Sequence, residues 1–396
     1  MSRGNVLMIV HSYCPADPRV RREAEALAES GFGVDVLCLR NEGQASSETI
    51  DGVRYLRLPI RRRRGGLLRY SFEYGLLTVY GLALAAILHP FRRYRLFQAH
   101  NMPDHLVFCG LLPWIAGVPA LLDMHDPIPE LYMSKYEIAA NDRLIRFLTV
   151  VERASMAFAD HVLAATSAFR DRLVERGRRA DRLTVVWNSA DPRLFRARAP
   201  RESAGPRTLL FNGTVTRRSG VDLLIHAVER LRERGRDLRL VVLGDGDYAP
   251  EVRRLQSEGG RASWLVLRGH VPLDRVSEEM ASADLGVIPN RANAFNDLAL
   301  PTRLFEFLQV GVPVLVAHSH AVEELFAGVE LAYFDSRDEG DLVRGIEQAL
   351  DDPARQRRAV EAGRVVVEEH SWAKQRGVYL GVVEALLARS AAMSER

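Results

Sequence analysis

Short aliphatic runs recur along the first half of the chain, at Asn5–Val10, Val34–Leu39, Leu96–Ala99, Leu121–Met124, Val162–Ala165 and Leu183–Trp187. Their brevity and near-continuous apolar character predict strands buried on both faces, the kind found in parallel sheets. Apolar residues return at helical spacing between them. Val20, Ala24 and Leu27 mark one face of a helix that stops at Gly31, and residues 142–176 read as helix, strand and helix. The second half repeats the scheme, with strands at Thr208–Phe211, Leu240–Leu243, Leu265–Arg268, Leu285–Pro289 and Val314–Val316. An amphipathic helix with Val221, Leu224, Ile225, Val228 and Leu231 on one face follows the first of these. Alternating strands and helices predict an α/β chain of two doubly wound, Rossmann-like sheets. A polar, proline-containing stretch, Arg196–Pro206, reads as the linker between them, and Lys374–Leu387 as a terminal helix with an apolar stripe.

Polar residues collect where these strands end, and in α/β sheets ligands bind there. Thr208–Phe211 runs into Asn212-Gly213-Thr214-Val215-Thr216-Arg217-Arg218-Ser219-Gly220, then into a helix. A strand, a small-residue loop with cations and a helix N-terminus make a phosphate cradle. Pro301 to Val316 reads as a short helix opened by Pro301 and Thr302, a stop at Gly311, then a strand. Arg303 and Glu306 share one face of that helix's first turn. A guanidinium at a helix N-terminus favours anions, and a carboxylate beside it can accept from vicinal hydroxyls, so diphosphate next to ribose describes a nucleotide sugar. The blander reading is an exposed i,i+3 ion pair. Leu240–Leu243 leads into Gly244-Asp245-Gly246-Asp247, and Leu265–Arg268 into Gly269-His270. In the first half, strands end at His100-Asn101-Met102-Pro103-Asp104 and at His125-Asp126, with Glu130 a few residues on.

These segments resemble the retaining GT-B-fold glycosyltransferases of family four, over about Val6 to Leu387. That family carries Pro-x-Lys-x-x-Glu-(Tyr/Ala)-x-x-x-Gly-x-Pro-Val where this chain has Pro301 to Val314, and Asn-x-x-Asp-x-x-x-Phe where it has Asn188 to Phe195. The resemblance implies a GT-B architecture of two Rossmann-like domains facing across a cleft. Residues 1–195 would form the acceptor-side domain, joined by the returning helix 375–396, and residues 205–374 the nucleotide-sugar domain. It implies that Glu306 holds the donor ribose, that His125 contacts the donor sugar, and that Gly269 and His270 meet the nucleobase. Gly213, Thr214, Gly244, Leu300, Pro301 and Thr302 complete the expected donor site. Asp17, Arg19, His100, Asp104, Asp126 and Glu130 are the acceptor-side candidates, although Asp17 and Arg19 equally suit a helix cap.

The chain departs from the pattern twice. The family's first Glu falls on Leu298, with Asn293, Asn296 and Asp297 as nearby substitutes, and its phosphate-binding Lys falls on Ser219. Lys135 and Lys374 are the only lysines of the chain. Arg218 and Arg303 are therefore the expected diphosphate ligands, since guanidinium binds phosphate oxygens bidentately. Asp123-x-His125-Asp126 and Asp245-x-Asp247 have metal-ligand types but lack further partners, and the family uses Gly-Asp-Gly as a turn. No metal or other cofactor is expected.

Composition narrows the class. At 396 residues, 47% hydrophobic and 27% charged, the chain suits a two-domain globular enzyme, and a net charge of +3 does not argue for nucleic acid. The missing Gly-x-Gly-x-x-Gly after the first strand argues against a dinucleotide dehydrogenase. Three cysteines in apolar settings and an N-terminal apolar run too short for a signal peptide point to the cytoplasm. Arg61–Arg64 precedes an aromatic and aliphatic stretch, Leu67–Leu88, whose 14-residue apolar part, Gly75–Leu88, is shorter than a membrane span. It reads as a core helix beside a solvated basic loop, or, with Arg92, Arg93 and Arg95, as a patch for the inner face of the plasma membrane.

The expected activity is hexosyl or N-acetylhexosaminyl transfer from a nucleotide sugar, UDP- or GDP-linked in the first instance, to a saccharide or lipid-linked acceptor of polysaccharide or glycoconjugate synthesis. His125, Arg218 and Arg303 would act on the reacting groups, with retention of configuration implied by the resemblance. The alternatives are a non-catalytic partner of another transferase and a GT-B sugar-nucleotide epimerase.

Overall fold

A computed structural model describes residues 3–61, 67–197 and 205–394. The chain divides into two compact units, one formed by Met1–Trp187 with Ala373–Arg396, the other by Asn188–Trp372.

The first unit is built on an eight-stranded sheet of β1 (Asn5–Tyr13), β2 (Gly33–Leu39), β3 (Ser47–Ile50), β4 (Val53–Leu58), β5 (Tyr94–His100), β6 (Ala120–Met124), β7 (His161–Ala164) and β8 (Leu183–Val185). Their spatial order is β3-β4-β2-β1-β5-β6-β7-β8, parallel except for β3. The antiparallel β3–β4 hairpin, which the aliphatic pattern does not announce, turns at Asp51-Gly52, both with positive φ. Strand order reverses between β1 and β5, so a crevice opens at their C-terminal ends, beside His11 and His100. Leu7, Ile9, Phe97, Ala99 and Leu122 fill the core on one side of this sheet.

Leu67–Arg92 is one continuous helix of 26 residues. That corrects the 14-residue expectation: Arg69–Arg92 is long and apolar enough to cross a membrane by length and composition. Glu73 does not interrupt it, because its side chain turns inward with Leu77, Gly81 and Ala85, and all four are buried. The fit on the sheet is close. A Cβ on Gly81 would lie 2.5 Å from Cδ1 of Ile9. Of the basic run before this helix, Arg62–Arg64 fall outside the described residues.

The second unit carries six parallel strands: β9 (Arg207–Asn212), β10 (Leu238–Leu243), β11 (Leu265–Gly269), β12 (Leu285–Ile288), β13 (Val314–Ala317) and β14 (Ala332–Phe334). Their order is β11-β10-β9-β12-β13-β14, with the reversal between β9 and β12. Every residue of β12 and β13 is buried, as uninterrupted aliphatic runs require. The segment Asn188–Phe195, grouped on sequence with the first domain, belongs to this unit, because Ala190 and Phe195 are buried against Leu210 and Phe305. Most of the linker Arg196–Pro206 lies outside the described residues.

Candidate functional site

The polar ends of β9, β10 and β11 form one layered turn in the second unit. Gly213 adopts φ 139° and its amide donates to the Leu243 carbonyl at 3.0 Å, while the Gly244 amide donates to the Gly269 carbonyl at 2.8 Å. Contact between these layers is too close for side chains: a Cβ on Gly244 would lie 1.9 Å from the Gly213 oxygen, and one on Gly246 2.1 Å from that of Val215. Asp245 accepts the Val215 amide through its backbone carbonyl, and its exposed carboxylate lies 3.8 Å from Arg253. Gly244-Asp245-Gly246 thus works as a turn that props the β9 loop. His270 is exposed at the end of β11, and Thr214 is exposed on the loop.

Beyond Thr214 the chain makes a capped turn. Ser219, at the position of the family's Lys, is buried and closes a capping box with Thr216, its Oγ 2.7 Å from the carbonyls of Thr214 and Thr216. The helix Val221–Glu233 starts at Gly220, whose φ of 70° and approach to the Pro289 carbonyl exclude any side chain. Arg218 is half-buried, with its guanidinium 5.2 Å from the centre of the Phe295 ring.

Arg303 is brought to this loop by the helix Thr302–Val310, which Pro301 precedes and Gly311 (φ 99°) ends, as the sequence predicts. Its Nη1 donates to the Asn212 carbonyl at 2.6 Å and its Nη2 to the Asn290 side chain, with the guanidinium over Phe211 at 5.0 Å. Burial pulls its pKa down to about 10, partly offset by Glu306. Glu306, one helical turn along, lies 3.4 Å from the amide nitrogen of Asn212. Arg303, Glu306 and the Gly213 loop therefore meet at Asn212. Asn212, the last residue of β9 and quoted above only as part of the loop, and Asn290, two residues past β12, seat the guanidinium; a polar residue at the end of a buried strand is the one signal they carry.

The substitutes for the missing Glu are engaged elsewhere. Asn293 caps the helix Ala294–Leu298 by accepting from Phe295 and Asn296. The Asn296 side chain donates to the Arg291 carbonyl at 2.7 Å and to that of Arg218 at 3.4 Å. Asp297 accepts the His320 amide at 2.9 Å. Leu298 is buried, and Leu300 packs against the core. These residues shape the segment that carries Arg218 and Arg303.

In the first unit the central group is Asp123, wholly buried on β6. It accepts Nε and Nη2 of Arg19 at 2.7 and 2.6 Å and faces Nδ1 of His100 at 2.9 Å. Nδ1 of His125 lies 3.7 Å from the same carboxylate oxygen. Behind them Glu23 accepts from Gln98 at 2.6 Å, and Gln98 accepts the hydroxyl of Tyr379 at 2.7 Å. Burial opposes the Asp123 charge, but Arg19 and the two imidazoles hold its pKa well below the carboxylate range. Burial also pulls His125 down, yet Asp123 and Asp126 outweigh it, and its pKa is raised. Glu23 is pushed up to about 7 by burial and by the Asp123 charge. Glu23, His100 and Asp123 offer ligand atoms within 4.8 Å of one another, but Arg19 already supplies the cation.

Most of the acceptor-side candidates are engaged within the first unit. Asp17 caps the helix Pro18–Glu29, accepting from Arg19 and Val20. Arg19 and His100 are buried behind Asp123. Asp104 is buried and accepts from Asn101, and burial pushes its pKa up to about 7. Glu130 is buried and accepts from Arg176, which also donates to Glu152 at 2.8 Å. His125 and Asp126 remain partly exposed, their backbone amides fixed by the Asn101 side chain at 3.0 and 3.3 Å.

The second unit thus ends β9 in a glycine-layered loop beneath Arg303, and the first holds His125 beside a buried carboxylate. Residues 16–189 match the glycosyl transferase 4-like domain and residues 206–352 match glycosyl transferases group 1, so the chain belongs to the group 1, family-four glycosyltransferases. It is 26% identical to the alpha-D-kanosaminyltransferase of Streptomyces kanamyceticus over 63% of this chain and 66% of that protein. It spans 66%, 40% and 41% of the length of three curated relatives it matches. The GT-B fold is shared with sucrose-phosphate synthase from Thermosynechococcus elongatus, at a TM-score of 0.78 and 18% identity over 98% of this chain and all of that one. It is also shared with Anabaena HepE in complex with UDP-glucose, at 0.72 and 16% over 96% and 99%.

Proposed function

We propose that this protein transfers a hexosyl or N-acetylhexosaminyl group from a nucleotide sugar, with retention, to a saccharide or lipid-linked acceptor in polysaccharide or glycoconjugate synthesis. The convergence of Arg303, Glu306 and the Gly213 loop on Asn212 carries the reading. The loop and Arg303, with Arg218, receive the diphosphate; Glu306 accepts from the ribose hydroxyls; Gly269 and His270 lie along the base. His125, whose Nδ1 lies 3.7 Å from Asp123, keeps the sugar-contacting role that the family resemblance implies. UDP is the first nucleotide to test, since the UDP-glucose complex of HepE has this fold, and GDP the second.

Leaving-group departure from an anomeric carbon builds positive charge on the sugar and negative charge on the diphosphate. Fixed guanidinium groups in a partly dry site stabilise the second of these without reorganising. In this reading the departing phosphate oxygen takes the acceptor proton as the acceptor oxygen bonds to the anomeric carbon, and neither an enzyme carboxylate nor a metal is given a step. Three free, buried thiols support a cytoplasmic setting.

The test is a melting-temperature panel of UDP-, GDP-, ADP- and dTDP-sugars, followed by product analysis with the one that binds. A ligand held only by the folded state raises the melting temperature. Transfer with the donor's anomeric configuration kept supports the proposal. Epimerised donor without acceptor, or no shift with any nucleotide, overturns it in favour of an epimerase or a non-catalytic partner. The second outcome has its own motivation in buried Leu298 and Ser219.

A further inference from the structure

The helix Leu67–Arg92 has two faces of unlike fate. One is packed on the first unit's sheet through Leu77, Gly81 and Ala85. The other is open and apolar. Phe72, Val79, Ile87 and Phe91 are 69, 64, 59 and 84% exposed, and the positions between them on that stripe are Gly75, Ala83 and Pro90. No charged residue interrupts it over five turns. The short helix Leu111–Ile115 packs alongside and adds Leu112 and Ile115 at 52 and 66%. An ordinary surface helix shows its polar side to water; this one shows a second apolar side.

Cations border this face. Arg93 is exposed at the end of the long helix. Arg95, Arg182 and Arg389 line a cavity of about 610 Å³ that also contains Trp114, from the same short helix. Among the described residues no carboxylate lies within ion-pair distance of these four arginines, although elsewhere in the unit most arginines are paired. The same cavity takes in half-buried Asp160, whose carboxylate accepts the Ala120 amide, so the border is predominantly cationic, and an apolar strip bordered in this way limits what can cover it. A second copy of this chain, docked about a two-fold axis, would set the arginine border against itself. An anionic bilayer complements both parts.

We infer that the first unit lies on an anionic membrane surface, with the outer stripe of Leu67–Arg92 and the helix Leu111–Ile115 in the headgroup–acyl boundary and Arg93, Arg95, Arg182 and Arg389 against lipid phosphates. The helix rests on the bilayer and does not cross it, because its other face is the wall of a folded core. Interfacial helices of this kind sink about 5–10 Å, and each basic residue at an anionic surface strengthens attachment about fivefold. Attachment is independent of the transfer reading, since it is measured without donor or acceptor.

The experiment is co-flotation of the full chain with vesicles of phosphatidylcholine alone, or of phosphatidylcholine with phosphatidylglycerol, at low and high salt. Flotation with the anionic vesicles is expected, falling with salt and by about fivefold for each of Arg93→Gln, Arg182→Gln and Arg389→Gln. Phe91→Glu and Ile87→Glu, both on the open face, should abolish it and leave the melting temperature unchanged. Failure of the wild type to float, or flotation indifferent to Phe91→Glu, overturns the inference. So does a dimer in sedimentation equilibrium that Phe91→Glu dissociates while vesicles remain unbound.

Discussion

Arg303 lies so close over Gly213 that a Cβ on the glycine would stand 2.2 Å from Nη1. The guanidinium is seated on bare backbone, and Gly213 also holds φ 139°, a conformation that L side chains rarely adopt. Gly213→Ala should displace the arginine and raise the donor KM at least tenfold. Arg303→Ala should lower kcat by about 10²–10³, the usual cost of one fixed group facing developing charge. Arg303→Lys should recover little, because one ammonium cannot reach both Asn212 and Asn290 as the fork does. Steady-state kinetics with the donor identified by melting shift checks all three.

The proposed site gives Glu306 the ribose. Glu306→Gln keeps the shape and loses the charge, so binding of the free nucleoside diphosphate should weaken by about 1.5–3 kcal/mol, roughly 10- to 100-fold. Calorimetric titration measures this directly. A deoxyribose nucleotide should feel the substitution less.

Asp123 holds Arg19 and turns His125. Asp123→Asn leaves the Arg19 charge buried with one partner fewer, and a loss of about 3–5 kcal/mol in unfolding free energy is expected from chemical denaturation. His125→Ala removes one imidazole 3.7 Å from the Asp123 carboxylate, which Arg19 and His100 still hold, so it should cost far less stability than Asp123→Asn while turnover drops. Similar stability losses for both would show that the histidine is only part of the core.

Glu130 and Glu152 share Arg176 in a buried setting, and burial, offset in part by Arg176 and reinforced by the Asp104 charge, pushes Glu152 up to about 8. Its ordinary value is 4.5, so its folded pKa is raised. Such an acid contributes stability fully present below the unfolded value and lost as pH rises through the folded one. The melting temperature should therefore fall between about pH 5 and pH 8, the interval between the unfolded and folded values. Glu152→Gln should flatten that decline, and thermal scans across the range decide.

Restoring the family's Glu should not help. Leu298 is 5% exposed, so Leu298→Glu buries a carboxylate and is expected to lower the melting temperature without improving turnover.

What was legible in the sequence was whatever short-range physics dictates. The helix Thr302–Val310 followed from Pro301, Gly311 and Pro313, and the strands from aliphatic runs. The hairpin at Asp51-Gly52 was written as plainly, but its strands alternate and so escape a search for continuous runs. Asp17 and Arg19 could be read as cap or site, and they proved to be a cap and a buried partner of Asp123. Nothing local could have told this, since Arg19 and Asp123 stand 104 positions apart. Glu130 looked free on its loop for the same reason, its partner Arg176 being 46 positions on.

The hydrogen bond from Tyr379 to Gln98 joins residues separated by 281 positions, with the whole second unit strung between them. A ribosome making this chain delivers the first unit's sheet early and the helix Trp372–Ser394 that closes over it last. Until then the Glu23–Gln98 pair stands without its cover, while Asn188–Trp372 can already condense on its own. The order of completion is thus inverted relative to the order of synthesis. A nascent chain stalled before Tyr379 should carry a protease-resistant second unit and a first unit that is still digested.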